Sequence, residues 1–146
     1  MEIKHYANSF ISVKSADSSI VCDPWLGDTD ENAWNTYPLL NKKESDFKNN
    51  KPSYIYISHL HCDHFDKKTL NFFDKNTKII IKNFKNKRLK NRIINTGFKN
   101  IVELDSWKIY KINKDFSVII IPQITSNTSS IDEQVNYDLD TSIIII

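Results

Sequence analysis

Cysteine is scarce in this 146-residue chain: Cys22 and Cys62 are the only two. Two cysteines cannot staple a disulfide scaffold, so free thiols in a reducing compartment are expected. Without paired Cys and His motifs the chain also lacks the ligands of a Rieske iron–sulfur cluster. Net charge is nearly absent. Twenty basic and 18 acidic residues leave +2, too small an excess to attract nucleic acid or an anionic membrane. No apolar run reaches membrane-spanning length, and the N-terminal MEIKHYANSFISV has no apolar core of the signal-peptide kind. A cytoplasmic protein with no membrane partner is expected.

What is present is an ordinary globular balance, 40% hydrophobic and 26% charged. The length suits one domain with a real core. Alternation and turn residues predict strands over Glu2–Tyr6, Ser9–Lys14 and Ser18–Asp23, a small antiparallel meander. A loop broken by Pro24, Gly27 and Pro38 follows, then a polar connection over 42–51. Tyr54–Ser58 reads as an apolar strand. Asp66 is placed as the N-cap of a helix over 66–74, with Leu70 and Phe73 on one face. Thr77–Lys82 is a strand. Phe84, Leu89, Ile93 and Ile94 form a helical stripe over 84–96, stopped by Gly97. Asn100–Asp105, Trp107–Ile112 and Phe116–Ile121 read as strands, 122–138 as a loop, and Thr141–Ile146 as a last strand. Runs such as Ile79-Ile80-Ile81 suit strands buried on both faces, so an α/β layered fold is expected. An apolar strand at the C-terminus is sticky unless paired. The chain is therefore expected to be cut short, or to form an oligomer that covers this strand.

Three of the four histidines lie within six residues, in IYISHLHCDHFD over 55–66. His59 and His61 are two apart at the end of a strand and point to one side if the extended geometry continues. Asp63 and His64 fall in the turn that follows, where the backbone can curl back toward the same point. Imidazole and carboxylate donors suit zinc, and also iron or manganese. Spacing and the strand-to-helix setting together point to a metal site.

HLHCDH, read as His-x-His-x-Asp-His, resembles the signature of the metallo-β-lactamase superfamily. IVCDPWLGD, a strand ending in Asp23, is similar to that family's first motif. DPWLG with Trp34 and Pro38, and LDTSIII from Leu139, look closer to the branch that includes CMP-N-acetylneuraminate hydroxylase and related sugar-nucleotide hydroxylases. The resemblance implies an αββα sandwich, of which residues 1–146 form the N-terminal part, a single incomplete domain. It implies one or two zinc ions, with His59 and His61 on the first and Asp63 and His64 on the second. With one ion only, Asp63 becomes the catalytic group that orients or deprotonates water. Asp23 is placed behind the ligands, fixing the orientation of one of them. A metal-activated water acting on an ester, amide, lactone or phosphodiester is the implied chemistry. A small-molecule substrate is the expected partner, a sugar nucleotide among the candidates.

The pattern also breaks. The family completes its first site with a third histidine and bridges its metals with a later aspartate, but no histidine follows His64. Asn136 stands near the third-histidine position, and Gln123 is another polar stand-in. Asp138 and Asp140 are weaker substitutes for the bridging aspartate; Asp140, next to Thr141, reads better as the start of a strand. A metal-binding but inert fragment, or a domain accessory to sugar-nucleotide hydroxylation, is therefore the alternative.

Other features have plainer readings. Trp25, Trp34 and Tyr37 follow Asp23 and either floor a substrate pocket or pack their loop onto the sheet; packing is the expectation, with Trp34 the better pocket candidate. The basic run from Lys82 to Arg92 reads as a solvated helix face rather than a nucleic-acid surface, since no aromatics are interleaved for stacking. Cys62 is expected to turn away from the ligands, Cys22 to pack in the core, and His5 to be a strand residue apart from the cluster.

Overall fold

A computed structural model describes residues 1–27, 34–40, 51–123 and 140–146. The expectations for 42–50, for most of the 122–138 loop, and for Asn136 and Asp138 lie outside those residues.

The N-terminal meander comprises β1 (Glu2–Ala7), β2 (Phe10–Lys14) and β3 (Ser19–Cys22), paired antiparallel. Three parallel strands extend it: β4 (Tyr54–Tyr56), β5 (Lys78–Lys82) and β6 (Ile101–Leu104). The six strands stand in the order β1-β2-β3-β4-β5-β6. Strand alternation sends successive side chains to opposite faces. Phe10, Val21, Ile55, Ile57, Ile79 and Ile81 point one way, into a core closed by Leu70, Leu89 and Ile93. Those three lie on the two helices, α1 (Lys67–Leu70) and α2 (Arg88–Ile94).

The other face carries Val13, Ile20, Cys22, Tyr54, Tyr56 and Ile80. It packs on Phe116, Val118, Ile120, Ile143 and Ile145, from a second, antiparallel sheet of β7 (Tyr110–Lys111), β8 (Ser117–Pro122) and β9 (Thr141–Ile145). Among the described residues the layers are helices, a mixed six-stranded sheet and a three-stranded sheet. The expected outer helical layer of a four-layer sandwich is not seen among them. No helix of the described residues is long and apolar enough to cross a membrane.

Local chemistry explains the elements that came out shorter than expected. Asp66 caps α1 as foreseen, its carboxylate accepting from the Lys68 and Thr69 backbone N–H groups at 3.0 Å. The helix nonetheless stops after Leu70, and the chain continues in turns that bury Phe73. α2 starts at Arg88 rather than near Phe84. Phe84 is buried before the helix, and the Asn86 side chain accepts from the Arg88 backbone N–H at 2.9 Å, a turn that competes with helix. Gly97, at φ 96°, closes the end of α2, its N–H bonding to the Ile94 carbonyl at 2.8 Å. The expected strand over Trp107–Ile112 shrinks to Tyr110–Lys111, because Trp107 sits at φ 64°, outside any strand conformation. Within the basic run, Lys87 and Lys90 each pair with Glu103 of β6 at 2.6 Å.

Candidate metal centre

β3 and β4 are parallel, so their C-terminal ends reach the same rim of the sheet. Ligand sites of open α/β sheets form at such rims. Asp23 follows β3, and Ser58 and His59 follow β4. The ladder continues one step past the strands, with the Asp23 N–H bonding to the Tyr56 carbonyl at 2.9 Å and the Ile57 N–H to the Ile80 carbonyl at 3.1 Å. That holds both ends rigidly. The start of β9 arrives at the same rim. Thr141 Oγ donates to the Ser58 carbonyl at 2.9 Å and lies 2.6 Å from the Tyr56 hydroxyl. Since the threonine proton goes to Ser58, Tyr56 donates to Thr141. Burial pushes the Tyr56 hydroxyl pKa well above its ordinary value, so it stays a donor.

Asp23 sits at φ 41°, a left-handed conformation that a short polar side chain tolerates. It is 5% exposed. Its Oδ1 accepts from the Ser58 backbone N–H at 2.8 Å, and its Oδ2 accepts from Ser58 Oγ at 2.8 Å. The same Oδ2 lies 2.9 Å from His64 Nδ1. A carboxylate is an acceptor only, so His64 carries its proton on Nδ1 and leaves Nε2 with a free lone pair. Ser58 has spent its proton on Asp23, so its Oγ accepts from His59 Nδ1, 2.9 Å away. His59 Nε2 is thereby also left as an electron-pair donor.

That nitrogen does not point into empty space. His59 Nε2 is 2.8 Å from His61 Nδ1 and 3.0 Å from Asp140 Oδ1. The donor atoms of His59, His61 and Asp140 all lie within 4.8 Å of one another. Without an ion, a proton on His61 Nδ1 bridges to His59 Nε2; a cation in place of that proton would be held by all three residues. Two imidazoles and a carboxylate are donors that zinc accepts, and the ligand atoms of a tetrahedral ion stand about 3.3 Å apart. The two shortest separations lie within about half an ångström of that spacing, so the residues present fit a metal ion.

The four residues expected to ligate therefore divide. His59 and His61 come together. Asp63 and His64 form a separate pair, with Asp63 Oδ2 3.5 Å from His64 Nε2. His59 and His64 remain close neighbours, their rings tilted by 42° with centroids 4.1 Å apart. Asp140, which sequence reasoning assigned to the start of a strand, is placed against His59 instead. No local signal marks it, because 81 positions separate the two residues. Trp34 is 57% exposed and does not line the cavity at the site, whereas Trp25 is buried. Gln123 is hydrogen-bonded through its backbone N–H to the Asp140 carbonyl at 3.0 Å. His5 on β1 bonds to the carbonyl of Asn8 in the following turn, apart from the cluster. Cys62 is half-buried and belongs to no metal-binding group among the described residues.

The electrostatics suit ligation at His59, whereas at His64 they favour the protonated ring. Burial lowers the His59 pKa, and the neighbouring His64 and His61 lower it further, so the ring is neutral at pH 7. Burial also lowers that of His64, but the hydrogen bond and charge of Asp23 outweigh it and the net shift is upward.

No protein-family model matches the chain. Solved structures do. Isothiocyanate hydrolase from Delia radicum gut bacteria superposes at a TM-score of 0.72 with 17% identity, covering 100% of this chain and 58% of that one. A protein of Veillonella parvula described as a metal-dependent hydrolase gives 0.71 with 16% identity, over 99% of this chain and 57% of that one. CmlA, a diiron beta-hydroxylase from Streptomyces venezuelae, gives 0.67 with 15% identity, over 99% of this chain and 27% of that one. The chain shares the fold of these solved structures over the part of them that it covers. Curated relatives in sequence are named as Rieske 2Fe-2S iron–sulfur proteins. One, from Mycolicibacterium smegmatis, is 27% identical over 70% of this chain. Another, from Mycobacterium tuberculosis, is 26% identical over 83% of it. The chain spans only 20% and 24% of their lengths. It has no paired Cys and His motif of the kind that holds a Rieske cluster.

Proposed function

We propose that this chain is a metal-dependent hydrolase-like domain whose ion is held by His59 Nε2, His61 Nδ1 and Asp140 Oδ1. The convergence of those three atoms carries the reading. His64 Nε2 and Asp63 are the adjoining pair, placed to take a second ion or to manage a proton beside the first. A bound divalent ion supplies Lewis acidity and lowers the pKa of water toward about 7. The chain's own residues do the rest. Asp23 and Ser58 hold both Nδ1 protons and so aim both Nε2 lone pairs. The Tyr56–Thr141–Ser58 hydrogen-bond chain fixes the start of β9, and with it Asp140. Asp63 Oδ2 is the group free to accept a proton. Esters, amides, lactones and phosphodiesters are the bond classes this chemistry serves. Zinc is the expected ion, with iron and manganese as alternatives.

The test is metal content and turnover in parallel. The chain should retain about one zinc after gel filtration, and His59→Ala, His61→Ala and Asp140→Ala should each lose it. Undiminished zinc in all three variants would sink the assignment. Hydrolysis of nitrophenyl esters, lactones or bis(4-nitrophenyl) phosphate by the zinc-loaded chain, lost in the same variants, is the positive result. Metal bound without turnover would leave an inert metal-binding domain.

The curated relatives favour a second reading. Their names and the likeness to a diiron hydroxylase fit a domain that serves an oxidation while a Rieske cluster elsewhere supplies electrons. That reading predicts preferential binding of two ferrous ions over one zinc under anaerobic titration.

A further inference from the structure

Asp23 aims Ser58 and His64, but its own conformation has to be held. It takes a left-handed backbone at φ 41° immediately before Pro24. A non-glycine residue stays in that region only where its surroundings fix it. On one side the tie is its own N–H, which bonds to the Tyr56 carbonyl at 2.9 Å. On the other side Pro24 has no N–H to offer. Trp25 is 2% exposed, but among the described residues its indole N–H has no partner, so packing alone holds that side chain. Apolar packing is non-directional. The next directional tie among the described residues is the Leu26 N–H, which bonds to Thr69 Oγ at 3.2 Å.

Thr69 is 1% exposed and lies in α1. Its hydroxyl bonds to Asp66 Oδ2. A carboxylate only accepts, so Thr69 donates to Asp66 and turns a lone pair to Leu26. Asp66 is fixed in turn: it is 8% exposed and also accepts from the Lys68 and Thr69 backbone N–H groups. Those two backbone bonds suffice for a helix cap. The hydroxyl bond beyond them orients Thr69. Between Asp66 and the ligands, the His61 carbonyl closes the turn by accepting from the His64 and Phe65 N–H groups at 3.0 and 2.7 Å. Segment 23–26 is therefore tied to segment 64–69 at both ends, Asp23 to His64 at 2.9 Å and Leu26 to Thr69 at 3.2 Å. A single tie is a pivot, whereas two ties fix orientation as well as position.

We propose that Thr69 is a positioning residue of the metal centre. Backed by Asp66, its hydroxyl holds Leu26, and through the short span back to Asp23 it fixes the carboxylate that aims His64 and Ser58. The proposal deepens the metal-centre reading and rests on it for zinc affinity; the His64 proton is read in the metal-free chain.

The test compares Thr69→Val, which keeps the shape and removes the hydroxyl, with Thr69→Ser, which keeps the hydroxyl. The NMR signal of the His64 Nδ1 proton in metal-free protein reports its bond to Asp23. Exchange of that proton with water should quicken about tenfold in Thr69→Val and return toward wild type in Thr69→Ser. Zinc affinity, by chelator competition, should fall about 3–10-fold in Thr69→Val, less than the 10–100-fold of a residue that touches a ligand. Thr69→Val combined with Asp23→Asn should bind zinc within about twofold of Asp23→Asn alone, because both act through one carboxylate. Ile93→Val trims a buried side chain on α2 and controls for lost stability; it should leave the His64 proton unchanged. In the wild-type chain, native-state exchange at low urea should open the Leu26 N–H and the His64 Nδ1 proton together, as one unit.

An unchanged His64 signal in folded Thr69→Val overturns the proposal. So does an equal effect in Thr69→Ser or in Ile93→Val, which would mark a merely structural role. Fully additive losses of zinc affinity in the double variant overturn it too. If Thr69→Val does not fold, separate opening of Leu26 and His64 in the wild-type chain decides against it. A His64 proton that responds as expected in a chain that binds no zinc keeps the tie and removes the metal centre.

Discussion

Asp23 touches no metal position, yet exchanging it for asparagine should disable the centre. The carboxylate accepts three hydrogen bonds, from Ser58 N–H, Ser58 Oγ and His64 Nδ1. Asparagine has nearly the same shape and tolerates the left-handed backbone at this position, so no strain is added. Its Oδ1 can still accept from the Ser58 N–H. Its amide must then donate toward Ser58 Oγ and His64 Nδ1. His64 can accept only by moving its proton to Nε2. Ser58, now an acceptor from the amide, turns its own proton to His59 Nδ1, which moves the second histidine's proton to Nε2 as well. The His59 lone pair that the ion needs and the His64 lone pair beside it are lost together. Exchanging charge-assisted bonds for neutral ones costs about 1–3 kcal/mol of stability. A change behind the ligands costs about 10–100-fold in metal affinity, or about 1.4–2.7 kcal/mol. Competition against a chromophoric zinc chelator measures the affinity, and urea denaturation the stability. Long-range proton–nitrogen NMR of the metal-free chain reads the protonated ring nitrogen directly. Wild-type protonation at His59 and His64 in Asp23→Asn, with wild-type zinc affinity, would refute the network.

Two further predictions concern other parts of the molecule. Partial burial raises the Glu103 pKa, but the bonds to Lys87 and Lys90 outweigh it and the net shift is downward. A lowered carboxylate pKa stabilises the fold above the unfolded value of about 4.3 and ceases to do so as pH falls through the folded one. Glu103→Gln should therefore lower the urea midpoint at pH 7 and lose that deficit below pH about 4; an equal deficit at both would contradict the ion pairs. Cys22 is buried, and burial and then the charge of Asp23 push its thiol pKa up to about 12. Iodoacetamide at pH 8 should therefore alkylate Cys62 first in the native chain, and peptide mapping that finds Cys22 modified first would show the rim of the sheet to be open.

The sequence makes the sheet legible where the physics is local. Alternation and Ile-rich runs place the strands, and the two-face burial of Ile79-Ile80-Ile81 follows from their being sandwiched. Helix lengths are less legible. Capping by Asp66 is readable, but the end of α1 is decided by where Phe73 is buried, which only packing reveals. The metal motif is half legible. His59 and His61 are read from a spacing of two, because one backbone segment positions both. The separation of Asp63 and His64 from them depends on Asp23, which captures His64 from across a parallel strand pair.

Asp140 is the residue that no spacing rule finds, and its place follows from its neighbour. Thr141 begins β9 and anchors that strand to the end of β4 through the Ser58 carbonyl and the Tyr56 hydroxyl. Thr141 is 7% exposed, and Asp140 stands beside it with 63% of its side chain exposed. An exposed carboxylate is held in one place only if its backbone is. Thr141→Val keeps the shape, the buried methyl and the strand propensity while removing the hydroxyl. It strands the Tyr56 hydroxyl and the Ser58 carbonyl without partners, at about 1–3 kcal/mol each. If the anchor positions Asp140, zinc affinity should also fall by about 10–100-fold, although Thr141 offers no ligand, and Thr141→Ser should restore most of it. The measurement is zinc affinity under conditions where both variants are fully folded by circular dichroism. Wild-type affinity in a folded but destabilised Thr141→Val would mean that Asp140 finds the histidines by some other route, and that β9 contributes to the core and not to the centre.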